Sequence, residues 1–74
     1  MNKNLKTTEQ FIKVSDDRII EMYRALKPYQ STKDELLALA YEFETLYGAI
    51  ENANFIRSLI ELYERKGFFK KKSE

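Results

Sequence analysis

The only proline of this chain, Pro28, is followed four residues later by Thr32-Lys33-Asp34-Glu35, and this pairing of a stop with a start constrains the fold most. The proline ring disfavours helical geometry at Lys27, so a helix ends there. Thr32 and Glu35 have capping-box spacing: the threonine oxygen accepts the Glu35 N–H while the glutamate reaches back to the Thr32 N–H. A helix therefore ends and another begins within about five residues, which makes the two antiparallel neighbours. The incoming helix has its own start signal. Ser15 can cap it, and Asp16 and Asp17 place negative charge at the positive end of the helix dipole. Val14 and Ile19 have the spacing of a hydrophobic staple. Ile19, Met22, Tyr23 and Leu26 then recur on one face.

The same signals repeat downstream. Leu36, Leu39, Ala40, Phe43, Leu46 and Tyr47 form the stripe of a second helix, and Gly48 suits its left-handed end. Ala53, Ile56, Leu59, Ile60 and Tyr63 form the stripe of a third, and Gly67 stops it. Glu61 and Arg65 are spaced as an i, i+4 pair on its outer side. No alternating run of strand length occurs. The reading is all-α: a small three-helix bundle with helices near 16–27, 33–47 and 50–66. Residues 1–14 are read as a flexible N-terminal arm, within which 8–14 form a short helical turn, a short helical arm to the bundle, or simply an arm, tethered by Phe11, Ile12 and Val14. Residues 15–67 are the bundle, and 68–74, Phe-Phe-Lys-Lys-Lys-Ser-Glu, a basic tail.

Composition narrows the chemistry. The chain has no cysteine and no histidine, which removes the thiolate nucleophile, the commonest metal ligand and the commonest acid–base at neutral pH. Thirteen basic residues against twelve acidic ones do not make a binder of polyanions. No apolar run reaches the roughly 20 residues that span a bilayer. Met1-Asn2-Lys3-Asn4 leads into no apolar region, so it is not a signal peptide and the expected location is cytoplasmic. Asp16/Asp17 and Glu42/Glu44 are the paired carboxylates. Neighbours on a helix point apart, so neither pair converges on one site, and the helix dipole accounts for the first. A carboxylate metal site in a bundle uses Glu-x-x-His, which this chain lacks. No phosphate-cradling glycine motif occurs. The tyrosines are expected at the edge of the core with hydroxyls in water, or on a partner surface. The basic-aromatic run from Arg65 to Lys72 reads as a solvated tail, or as a contact for an acidic partner, a membrane surface or nucleic acid. The second and third helices carry apolar residues beyond one stripe, at Leu37, Tyr41, Ile50, Phe55 and Leu62. Part of that surface is expected to lie under another chain or under the N-terminal arm.

One long stretch carries a resemblance. Asp16-Asp17-Arg18-Ile19, Tyr23, Ala25-Leu26, Pro28-Tyr29 and Ser31-Thr32, continuing through Lys33-Asp34-Glu35-Leu36-Leu37-Ala38 and more weakly at Leu62-Tyr63-Glu64-Arg65-Lys66, resemble the small (gamma) subunit of adenosylcobalamin-dependent diol and glycerol dehydratases. The similarity spans roughly residues 14 to 66. It implies a non-catalytic domain of a lyase complex that packs on the large subunit. This chain would then bind no cofactor itself, and adenosylcobalamin would belong to the parent complex. Family members carry a further segment before this region, so a chain starting at Met1 is expected to be either a shortened form or a free-standing protein. The alternative function is an independent helical interaction module, self-associating or binding another protein. Nucleic acid and membrane are not expected partners. The expected partner-binding residues are Arg18, Lys27, Pro28, Tyr29, Gln30 and Ser31. Pro28 stiffens the loop, and arginine and tyrosine are favoured interface anchors. Tyr29 either faces a partner or folds back over the end of the core.

Overall fold

The structure is a computed structural model that describes residues 12–71. The arm over residues 1–11, the tether at Phe11 and the last three residues of the tail lie outside the described residues. Helix α1 spans Asp16–Ala25, α2 Lys33–Thr45 and α3 Ile50–Lys66, with no strand among the described residues. Among the described residues the fold is all-α, a bundle of three helices, as expected. Residues 12–15 are extended rather than helical, and the Ile12 N–H donates to the Leu46 carbonyl at 2.7 Å, tying the arm to the end of α2.

The local signals act as read. The Ser15 hydroxyl accepts the Arg18 N–H at 3.2 Å. Thr32 and Glu35 close both halves of the capping box, at 3.2 and 2.9 Å. Thr32→Ala should therefore cost about 1 kcal/mol, read as a lower urea midpoint at unchanged slope. Gly48 and Gly67 both take left-handed backbone, at φ 65 and 71. Past Gly67 the Phe68 N–H reaches back to the Tyr63 carbonyl at 2.9 Å, satisfying an orphan acceptor of α3.

Helix α1 ends at Ala25, two residues before the expected stop at Lys27. The last turn tightens: the Leu26 N–H is shared between the Met22 carbonyl at 3.2 Å and the Tyr23 carbonyl at 3.3 Å, and the Lys27 N–H bonds three residues back to Arg24 at 3.2 Å. A chain that must leave the helical region before Pro28 passes from α to three-residue bonds over these positions. Helix α2 ends at Thr45, two residues short of the expected 47. The Glu61–Arg65 pair does not form among the described residues. Glu64 instead pairs with Lys33 of α2 at 2.8 Å, and Glu44 with Arg57 of α3.

The core is Met22, Leu36, Leu39, Ala40, Ala53, Ile56, Ile60 and Tyr63. Seven of the eight come from α2 and α3, so these two helices form the packed pair and α1 adds Met22. Four expected core residues, Ile19, Leu26, Phe43 and Leu59, are half-buried at its edge. Two are exposed, Tyr23 at 68 % and Leu46 at 41 %. A helix that covers a hairpin from one side buries one line of residues. Met22 lies on that line, and Tyr23, one position round, is turned out.

Candidate partner-binding surface

Arg18 sits one turn into α1, where the Ser15 cap fixes the helix start. Its guanidinium crosses to α2. Nε donates to Glu42 Oε2 at 2.9 Å, Nη2 donates to Glu42 Oε1, and Nη1 donates to Glu21 Oε1 at 2.9 Å. The Tyr47 hydroxyl donates to the same Glu42 carboxylate at 3.0 Å. The Glu42 side chain is only 19 % exposed. The Arg18 bond, above all, holds the Glu42 carboxyl below its ordinary value, working against desolvation. Arg18, expected to face a partner, thus joins α1 to α2 within the chain.

Lys27 to Ser31 form a turn. The Gln30 N–H donates to the Lys27 carbonyl at 3.2 Å. Tyr29 has φ 66, a left-handed backbone that costs a non-glycine residue about 1–2 kcal/mol. The residues after Gly67 hold it there. The Tyr29 N–H donates to the Phe68 carbonyl at 2.7 Å, and the Lys70 N–H to the Ser31 carbonyl at 2.8 Å. The Tyr29 and Phe68 rings lie 5.5 Å apart, yet Tyr29 stays 57 % exposed. The Tyr29 ring thus leans on Phe68 and is otherwise exposed. Lys27, Pro28 and Gln30 are exposed, whereas Ser31 is buried.

The opening residues of the expected tail belong to the packed structure. Phe68 and Phe69 lie edge-on to Tyr63, with centroids 5.7 and 5.9 Å away, and are half-buried against the core. Two phenylalanines directly after a helix stop were the sequence signal for this, and the lysines that follow masked it. Tyr63 itself departs from the expectation of a hydroxyl in water. Its OH donates to the Leu26 carbonyl at 2.6 Å, and burial pushes its pKa up. No local spacing announces a bond across 37 residues.

Beside α1 runs an apolar groove of about 440 Å³ lined by Ile12, Ile19, Met22, Tyr23, Phe43 and Tyr47. It continues past Met22 and Phe43 towards Phe55 of α3, which is 59 % exposed. On the other helices Leu37, Tyr41 and Ile50 stand out at 44, 66 and 50 % exposure. Leu62, by contrast, is half-buried against the core. Of the two carboxylate pairs, Glu42 and Glu44 diverge, Glu42 towards α1 and Glu44 towards α3. No helix among the described residues is long and apolar enough to cross a membrane.

Exposed aromatic and aliphatic side chains thus stand on all three described helices. The family model for the dehydratase small subunit matches residues 1–70. The chain belongs to the dehydratase small-subunit family. It is 48 % identical over 64 residues to the propanediol dehydratase small subunits of Citrobacter freundii and of Salmonella typhimurium. Those matches cover 85 % of this chain and 37 % of each relative, so the chain spans little more than a third of the length of these family members.

Proposed function

We propose that this chain is the helical domain of a small subunit of a cobalamin-dependent diol or glycerol dehydratase, and that it works by packing on the large subunit without supplying a catalytic group. Family membership supports the reading, and one observation carries it. Tyr23, Phe55, Tyr41, Ile50 and Leu37 present uncovered apolar surface on all three helices of a chain whose core is already closed by other residues. Each such side chain gains roughly 25 cal/mol per Å² of apolar surface when a partner covers it.

The residues do not fit adenosylcobalamin as a ligand of this chain. The groove beside α1 is lined mainly by apolar side chains, whereas a corrin ring is fringed with amides that need hydrogen-bond partners. Arg18 and Glu42, the least exposed ion pair among the described residues, are committed to joining α1 to α2.

The test is reconstitution. Mixed with the large and medium dehydratase subunits of its own source, the chain should co-elute with them on size exclusion. Given adenosylcobalamin and a diol as the only protein present, it should form no aldehyde. Elution apart from a stoichiometric amount of large subunit would overturn the subunit reading, and a discrete dimer in that fraction would establish the self-associating module instead. Aldehyde formation by the chain alone would overturn the non-catalytic role.

A further inference from the structure

The loop from Lys27 to Ser31 and the basic-aromatic run after Gly67 are some forty positions apart in sequence, and the fold lays them side by side. The Tyr29 N–H to Phe68 carbonyl bond and the Lys70 N–H to Ser31 carbonyl bond join them into one surface, with the Tyr29 and Phe68 rings at its centre. The same end of the bundle collects positive charge. Arg24 lies in the last turn of α1, and Arg65 and Lys66 in the last turn of α3. Lys27, Lys70 and Lys71 lie just beyond those helix ends. All six are exposed, and none has a carboxylate within 4 Å among the described residues. Among the other described cations Arg18, Lys33 and Arg57 are each paired, and Lys13 is not. Six of the seven described cations without an ion pair thus gather at one end of the bundle.

We propose that this joined surface docks on the protein partner of the chain, and that the partner's surface there is acidic. The inference rests on the subunit reading above and names the face it uses. Helix dipoles explain cations in a last turn, but the effect fades beyond it, so it leaves Lys27, Lys70 and Lys71 without a local reason. Tyr29 is held in left-handed backbone by the Phe68 carbonyl, which fixes its ring in the presenting position and leaves little ordering to be done on binding. A tyrosine anchor inside a ring of cations matches the anatomy of a protein interface, with an aromatic centre and a charged rim. The carboxylate of Asp34, exposed in the first turn of α2 just after this loop, speaks against a phosphate polymer or an anionic bilayer. Such partners repel it, whereas a protein surface can answer a mixed pattern.

The experiment compares the full chain with its Lys27→Glu/Lys70→Glu/Lys71→Glu variant. The three side chains are exposed and hydrogen-bond to nothing among the described residues, so melting should be unchanged. Affinity for the isolated large subunit is measured by titration at 50 and 300 mM salt. Wild-type binding should weaken markedly with salt. The variant should bind at least tenfold more weakly at low salt, with a flatter salt dependence. Tyr29→Ala should also lose affinity at both salt concentrations. If the wild type binds and the variant binds equally well, the assigned face is wrong while the subunit reading stands. If the wild type does not bind the large subunit, the subunit reading fails and this surface falls with it. Binding instead to duplex DNA or to phosphatidylserine vesicles, lost in the variant, would replace the acidic protein with a phosphate-bearing partner and overturn the proposal.

Discussion

Leu36→Ala should lower the unfolding free energy by about 3–5 kcal/mol. Leu36 is fully buried, at 0 % exposure, one turn into α2 where the capping box fixes the helix start. Truncation leaves a cavity between α2 and α3, which between them supply nearly the whole core. A domain of this length has about 4–11 kcal/mol of stability in total, so the variant approaches the edge of folding. Phe43, which the stripe spacing alone would rank as the costlier deletion, is only half-buried. Phe43→Ala should therefore cost about 1–2 kcal/mol, in proportion to the smaller area it covers. Urea titrations followed by far-ultraviolet circular dichroism read both. A larger loss for Phe43→Ala than for Leu36→Ala would show that the centre of the core is misassigned.

Arg18→Ala should cost about 2 kcal/mol, because it strips a half-buried carboxylate of its charged hydrogen bonds and leaves Glu42 with Tyr47. The effect should concentrate on α1. Amides from Met22 to Leu26 should exchange hydrogen faster than those of α2, since Met22 and this bridge are the main ties of α1 to α2 and α3. The bridge also has a pH signature. The folded Glu42 carboxyl titrates below its ordinary 4.5. A depressed carboxyl contributes stability that is fully present above the unfolded value and is lost as pH falls through the folded one. Arg18, whose own pKa is raised, stays charged throughout. Stability should thus decline below about pH 4.5, and Glu42→Gln should be less stable at neutral pH with a shallower acid decline. Equal acid slopes for wild type and Glu42→Gln would exclude this bridge as the source.

Much of the fold is legible locally because helix ends are local events. The Ser15 cap, the Thr32–Glu35 box, the Pro28 exclusion and the left-handed glycines 48 and 67 each involve residues within a few positions of one another. The errors at helix ends amount to the last turn, where tightening before Pro28 and past Thr45 is decided by the chain's exit path. The faces were less legible. Spacing placed Tyr23 beside Met22, and only the way α1 lies across the hairpin decides that one is buried and the other exposed.

The family followed from the long stretch between Asp16 and Ala38, which carries both the helix punctuation and the loop. The roles of the candidate site residues did not follow, because partners across the bundle are invisible to periodicity. Spacing alone leaves Arg18 free for another protein, and the fold closes its fork on Glu42, 24 positions away. The lysines after Phe68 and Phe69 give that stretch the look of a tail, yet both rings find Tyr63 as soon as Gly67 turns the chain.

The sequence by itself therefore determined the order and starts of the three described helices, most of the packed stripe of α2 and α3, and the family. Backbone capping, helical period and a long conserved-order match need no knowledge of what lies across the bundle. The tertiary structure alone decided which polar groups serve the fold and which remain for a partner. That division depends on distances between residues 24 to 39 positions apart, which place the Lys27–Ser31 loop against Phe68 and Lys70, and Tyr63 under Leu26.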